Sequence, residues 1–445
     1  MNKKNYLTAI KMAWPSVLES FFIALAGMID TMMVGSLGPY AIAAVGLTNQ
    51  PKFIALAVFF SINIAVSSLV ARRRGQKDRQ GANEVFLTAL ILTLILCLLV
   101  SCLTVFYADP ILKLAGSQDD THLAAVKYYQ IIMGGMIFNV IAMVINAAQR
   151  GSGNTRIAFV TNLVSSIVNI LFNYLLIGGK YGFPKWGIQG AAIATVLGTI
   201  VAMVLSVRSL IKSDTLIEWQ YLIKNKIKAK LSTATMIGQL SLSMFIENMA
   251  MRVGFLATAI TAAGLGTRAF AIHNAGMNFL SIGFSFADGM QIAAVALTGR
   301  ALGQGNYKEA THYGQICQRI GFMISIGLSL FLFFFGFESM SIYFKDPSMI
   351  AEGVMLTRFI MVICLLQISQ IIYAGSLRSG GDVKYTLFAG IISVTIIRTL
   401  VTIVLVNTFK LGLVGIWLGI FSDQFSRFIF MRHRFKQGHW TRIRI

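Results

Sequence analysis

In a chain of 445 residues, 56% are hydrophobic and only 12% charged, about half the charge of an ordinary globular protein, and the mean hydropathy is +0.71. That excludes a soluble chain and predicts an all-α polytopic membrane protein. A net charge of +21 would suggest nucleic acid as a partner in a soluble protein, but here the bases sit in short tracts between apolar runs. There they orient the chain and meet anionic headgroups, so no nucleic acid is expected.

A helix needs about 20 apolar residues to cross the hydrocarbon core. Twelve windows qualify: 14–36, 46–70, 85–107, 127–148, 157–178, 188–210, 232–262, 271–298, 313–337, 354–376, 385–407 and 412–431. The first follows a basic stretch, Met1–Lys11, and lacks a small-residue cleavage site, so it is read as a retained helix rather than a signal peptide. Ser36-Leu37-Gly38-Pro39, Arg72-Arg73-Arg74-Gly75 and Gly178-Gly179-Lys180 punctuate the runs. The longest connection, Ser209–Leu231, is Lys-rich and divides the chain. The expected parts are a first lobe at 1–210, a cytoplasmic linker at 211–231, a second lobe at 232–431 and a basic cytoplasmic tail at 432–445. Lys and Arg favour one set of alternate loops by about three to one, which predicts a cell-membrane protein with both ends cytoplasmic.

The two parts repeat. Arg72 and Arg300 lie 228 positions apart (300 − 72), as do Arg150 and Arg378 (378 − 150), and the same shift carries Glu19 onto Glu247 and Gly187-Ile188 onto Gly415-Ile416. Six windows separate the copies, an even number, so both halves have the same orientation. Parallel repeats of this kind are a transporter architecture with a substrate path between them.

Ionisable residues inside a span are costly and mark function by default. Asp30 lies about six residues from the outer end of the first span, roughly 9 Å along the axis. Asn169 and Asn173 share one face of the fifth span, and Thr195 enters the sixth to a similar depth. One carboxylate, two amides and one hydroxyl at one level offer hard oxygens to a small cation, or a carboxyl able to carry a proton. Glu247, Asp288 and Gln291 form a possible second site for ion or substrate, unless Arg252 and Arg398 at similar depths neutralise the acids. Asp423 and Arg427, spaced i, i+4, are read as a solvated structural pair. Glu19 is expected either to line a cavity or to pair with Lys11.

Nothing points to chemistry on a substrate. Neither a phosphate-binding Gly-rich loop ending in Gly-Lys-Ser/Thr nor a Gly-x-Ser-x-Gly nucleophile elbow is present. The five histidines form no zinc cluster, and Cys97, Cys102, Cys317 and Cys364 have no ligand spacing. The chain is therefore expected to be no enzyme, to need no cofactor or metal, and to need no ATPase subunit.

Met28-Ile29-Asp30-Thr31-Met32-Met33-Val34-Gly35, with Ala41-Ile42-Ala43-Ala44-Val45-Gly46, resembles the first-helix signature of MATE multidrug exporters. Gln149-Arg150-Gly151-Ser152-Gly153-Asn154, Gly190-Ala191-Ala192-Ile193-Ala194-Thr195 and Gly375-Ser376-Leu377-Arg378 extend the likeness over the whole chain. The stretch Asn173–Pro184 looks most like the NorM-type branch.

The resemblance implies twelve transmembrane helices in two pseudo-twofold-related six-helix lobes, arranged in a V. It implies antiport, with Na⁺ or H⁺ entering as small organic, often cationic and amphipathic, substrates leave, and a monomer suffices. It implies a cation site at Asp30, Asn169, Asn173 and Thr195, the same four residues that depth brings together. Glu247 matches a second-lobe acid of the NorM branch, but Gln367 stands where that branch has an Asp, which leaves the second-lobe ion site in question. Pro15 matches a first-helix proline proposed to bend. The alternative function is a flippase for a lipid-linked or anionic amphiphile, which the intramembrane arginines would suit. A channel is disfavoured because discrete buried carboxylates replace a symmetric ring of ligands.

Overall fold

A computed structural model describes residues 3–115, 117, 119–211 and 215–443, and every regular element among them is helical. The first half runs α1 (Lys3–Gly35), α2 (Pro39–Gly75), α3 (Arg79–Phe106), a short α4 (Ala108–Leu114), α5 (Asp119–Gly134), α6 (Met136–Gly151), α7 (Thr155–Gly178), α8 (Gly187–Ser209) and a short α9 (Trp219–Lys224). The second runs α10 (Leu231–Gly264), α11 (Thr267–Gly303), α12 (Tyr307–Phe334), a short α13 (Gly336–Ser341), α14 (Pro347–Ser379), α15 (Val383–Gly390), α16 (Thr399–Ile403) and α17 (Gly412–Gln437). α15 and α16 belong to one long segment, joined and extended by π-helical stretches at Ile391–Arg398 and Val404–Thr408.

Among the described residues, 10 helices are long and apolar enough to span a membrane, or 11 if the bent pair α5–α6 counts as one span. The expected span at 232–262 is α10, whose 34 residues suffice in length but carry Glu247, Asn248 and Arg252 in mid-helix. The 44° bend between α5 and α6 falls at Gly134-Gly135, a pair that removes side-chain support from the backbone. A Cβ on Gly135 would meet Val196 Cγ2 at 2.6 Å, so the bend also brings this backbone close to α8.

The repeat holds to the residue in α2 and α3 against α11 and α12. α8 and α17 instead start at Gly187 and Gly412, 225 apart (412 − 187), each with φ of 54°, so the expected match of Gly187 to Gly415 is replaced by Gly187 to Gly412. α2 and α11 start at Pro39 and Thr267 and end at Gly75 and Gly303, each pair 228 apart (267 − 39, 303 − 75). Asp78 caps α3 by accepting from the Gly81 amide at 2.8 Å, and Asn306 caps α12 by accepting from Glu309 at 3.1 Å. Left-handed turns recur as well: Gly38 and Gly266 have φ of 114° and 100°, and Gly153 and Gly381 have 84° and 88°. Only glycine takes such angles without strain.

The chain forms two compact units, Leu18–Leu242, and Met1–Val17 together with Ser243–Ile445. Both divides fall inside helices, α1 and α10, whereas the sequence suggested a break at 211–231. The described part of that connection belongs to the first of these units: Ile217 and Leu222 are buried, and Glu218 pairs with Arg79. The segment expected as a basic tail is partly helical and packed. α17 continues to Gln437, and Trp440, wholly buried, stacks on Phe435 at 5.2 Å. In the unit Leu18–Leu242, α6 packs against α2, α3, α7 and α8; in the other, α14 packs against α11, α12 and α17.

Candidate functional site

The α7–α8 hairpin sets the first site. A Cβ on Gly190 would meet the Leu176 carbonyl at 2.7 Å, and one on Gly198 the Ser165 carbonyl at 2.9 Å. Bare backbone at these two positions lets the helices close up, and the Ser165 hydroxyl bonds the Gly198 carbonyl at 2.8 Å. Asn169 and Thr195 therefore face each other across the hairpin, with Asn169 Nδ2 donating to Thr195 Oγ1 at 3.1 Å. Thr195 in turn donates to the Ala191 carbonyl at 3.0 Å.

One turn along α7, Asn173 Nδ2 donates to Asn169 Oδ1 at 3.3 Å and to the Asp30 carboxylate on α1. The four residues thus form one continuous hydrogen-bonded chain: Thr195, Asn169, Asn173, Asp30. Asn173 is fully buried while Asp30, Asn169 and Thr195 are half-buried, so the chain runs from interior to an accessible carboxylate. Asn173 Oδ1 is buried with no hydrogen-bond partner. An amide oxygen left without a donor is a hard ligand that a small cation can use. A proton on Asp30 would fit the same chain.

Sequence reading passed over Lys52. It lies on α2 beside Pro51, within electrostatic reach of Asp30, and makes no ion pair among the described residues, its ammonium resting 5.9 Å from the Phe53 ring. The signal was available, since 52 falls inside the second predicted span.

The second-half acids are arranged differently from expectation. Glu247 is 3% exposed and held by Arg378 at 2.7 Å, with the Thr386 hydroxyl at 3.3 Å. Neither Arg252 nor Arg398 neutralises it. Arg252 is exposed on α10. Arg398 is buried and bonds Thr258 Oγ1 at 2.9 Å and Asp423 at 3.5 Å.

Asp423 and Arg427 do pair, at 2.7 Å, but both are buried, so the pair is not solvated. Asp288 is exposed, within electrostatic reach of Arg378, whereas its neighbour Gln291 is buried against Gly375. Gln367 is wholly buried, and among the described residues neither its amide nitrogen nor its oxygen has a hydrogen-bond partner.

Glu19 pairs with Arg150 and accepts from Asn162; Lys11 is not its partner. This contact is the twin of Glu247–Arg378, since both members of each pair are related by the 228-residue shift. The same bond is built once in each half, with identical sequence separations of 131. Pro15 is buried within α1, which continues through it as helix.

Among the described residues no three His, Cys, Asp or Glu gather as metal ligands. A cleft of about 720 Å³ opens at the far end of the α7–α8 hairpin between Arg156 and Arg208, roughly 20 Å along α7 from Asn169.

The MatE family profile matches residues 15–175 and 243–404, once in each half. A relative from Thermotoga maritima, described as a probable multidrug resistance protein NorM, is 27% identical over 436 residues, 97% of this chain and 92% of its own. An uncharacterized transporter, YisQ, from Bacillus subtilis is 23% identical over 435 residues, 96% and 94% of the two chains. Among solved structures, an outward-facing multidrug resistance MATE family transporter of the MOP superfamily is similar in fold, with a TM-score of 0.90 at 22% identity over 98% of this chain and 96% of that one. A MOP superfamily transporter from Pyrococcus furiosus, described as having a binding pocket of reverse polarity, gives 0.89 at 22% identity over 98% and 96%.

Proposed function

The chain belongs to the MATE family, and from that premise we propose that it is an antiporter, driven by Na⁺ or H⁺, that exports cationic amphipathic organic compounds across the cell membrane by alternating access. One observation carries this reading: the hydrogen-bonded chain from Thr195 to Asp30, with the unpartnered oxygen of Asn173 along it.

A carboxylate within a membrane span is costly unless a cation or proton neutralises it. Asp30 therefore gains when an ion arrives from outside. Asn173 and Asn169 hold its carboxylate in place, and Thr195 fixes Asn169. Lys52 supplies a neighbouring positive charge that keeps the affinity low enough for release. Export follows from linkage: if the loaded state disfavours substrate, substrate must disfavour the ion by the same factor.

Reconstitution in liposomes tests the proposal. Efflux of a fluorescent organic cation under an imposed Na⁺ gradient, and separately under a pH gradient, identifies the ion. Asp30→Asn is expected to lower gradient-driven efflux at least about tenfold while the protein still folds. Thr195→Ala, which removes one hydrogen bond, should weaken the apparent cation affinity by about fivefold to tenfold. Undiminished coupled export by Asp30→Asn sinks the reading. The flippase alternative drew on Arg252 and Arg398, and Arg398 is already engaged by Thr258 and Asp423 in the interior.

A further inference from the structure

The α7–α8 hairpin carries a second polar cluster, at the end away from its turn. Bonds across the hairpin join Ser165 to Gly198 and Asn169 to Thr195. The same antiparallel register, followed 13 residues further along each helix, sets Arg156 (169 − 13) level with Arg208 (195 + 13). Arg156 is the second residue of α7, Arg208 stands in the last turn of α8, and both are exposed. The cleft of about 720 Å³ has both in its lining.

Charge in that cleft is one-sided. The described residues that line it include no carboxylate. Neither arginine makes an ion pair among the described residues, and Glu218, the described acid of the connection that follows α8, is taken by Arg79. Two guanidiniums at one level repel each other until an anion comes between them. The start of α7 adds to the field, because Asn154 precedes it without a side-chain cap, which leaves first-turn amides for an acceptor.

The second half closes the corresponding end with its own residues. Asp382 precedes α15 as Asn154 precedes α7, and it binds Arg434 in the last turn of α17 at 2.6 Å. Trp440 seals the place, since a Cβ on Gly380 would meet its carbonyl at 2.5 Å. With Asn154 where the other half has an acid, the first half has the bases without the anion.

The setting indicates which anion fits. α7 and α8 hold 24 and 23 residues, roughly 35 Å of helix against about 30 Å of hydrocarbon, so their ends reach the headgroups. Neither helix has a charged residue between Ile157 and Gly178 or between Gly187 and Val207. Ile157, Val160 and Leu205 form the apolar wall of the cleft, and exposed side chains continue from Val160 along α7 at Ile167 and Leu171. Loop charge assigns this end to the cytoplasm, where anionic lipids concentrate. A soluble anion would use the arginines and leave the apolar wall bare, whereas a phospholipid uses both.

We propose that this cleft binds an anionic phospholipid of the cytoplasmic leaflet, its phosphate between Arg156 and Arg208 and its acyl chains along Val160, Ile167 and Leu171. A guanidinium fork matches two phosphate oxygens at once, and a zwitterionic lipid would bring its own ammonium against the arginines. The site is separate from the ion path, roughly 20 Å along α7 from Asn169.

Native mass spectrometry of the full chain in detergent, titrated with phosphatidylglycerol, phosphatidylcholine and glycerol 3-phosphate, tests it. Wild type is expected to bind phosphatidylglycerol at least about tenfold more tightly than either of the others. Arg156→Gln/Arg208→Gln should bring phosphatidylglycerol down to the level of phosphatidylcholine, and Arg156→Lys/Arg208→Lys should keep part of the preference. Lys384→Gln/Lys436→Gln removes the same charge from exposed positions of the other half and should leave binding unchanged. If the double glutamine variant is not recovered folded, each single variant is expected to lose about threefold or more.

Three results overturn the proposal. Unchanged phosphatidylglycerol binding without the arginines removes the site. An equal loss in Lys384→Gln/Lys436→Gln reduces the effect to net charge. Glycerol 3-phosphate bound as tightly as phosphatidylglycerol makes the ligand a soluble phosphate.

Discussion

Glu19 and Glu247 illustrate how a buried charge is decided by its partner. Each is almost completely covered, and each meets an arginine that stands 131 residues later in the chain. Removing one member leaves an uncompensated buried charge, a loss of about 3–5 kcal/mol. Glu19→Gln and Glu247→Gln are therefore expected to lower thermal stability by similar amounts. Glu19→Gln/Arg150→Met should recover most of the loss, which melting curves of the four proteins would establish. A Glu247→Gln variant of unchanged stability but altered substrate range would mark Glu247 as a transport residue instead. Both members of both pairs were visible in the sequence repeat. Their contact was not, because a shared offset relates twins and says nothing about which residues of one copy meet. The Asp30 group was legible because depth along a helix follows from residue count alone. The same depth reasoning set Arg398 beside Glu247, since two helices at equal depth need not turn those residues toward each other.

At the scale of elements, glycines decide how closely helices approach. Gly190 and Gly198 face backbone carbonyls across the α7–α8 hairpin at distances a Cβ cannot share. Gly190→Ala and Gly198→Ala are expected to force the hairpin apart at a cost of about 1–3 kcal/mol, and Gly198→Ala, beside Asn169, should also weaken cation affinity. Gly27 and Gly238, with nothing within 4 Å, supply the contrast: alanine there should be neutral or stabilising by up to about 1 kcal/mol. Thermal unfolding of the four variants separates the two groups. Helix positions were legible from runs of apolar residues, which set length and spacing. The π turns were not, because an extra residue in one turn leaves no mark on an almost uniformly apolar segment.

For the molecule as a whole, two halves with a shared register are the dominant fact, and orientation is the property most readily tested. With Cys102, the exposed native thiol, replaced by Ser, Tyr181→Cys in the α7–α8 turn and Lys224→Cys in α9 give opposite expectations. A membrane-impermeant maleimide added to intact cells should label Tyr181→Cys and spare Lys224→Cys, as the loop charges require; the reverse pattern would invert the topology. The kinship of the halves was legible from a few loop motifs. The divide between compact units was not, because it falls within α1 and α10, where unbroken helical sequence carries no punctuation. The register shared by α2 with α11 and by α3 with α12 also has a practical use. Almost any substitution has a twin at a known position in the same polypeptide, made in the same preparation and exposed to the same lipid. Subtracting one twin's effect from the other's cancels what both owe to mere helix packing. What survives the subtraction is the difference that evolution has written between two copies of one ancestral half.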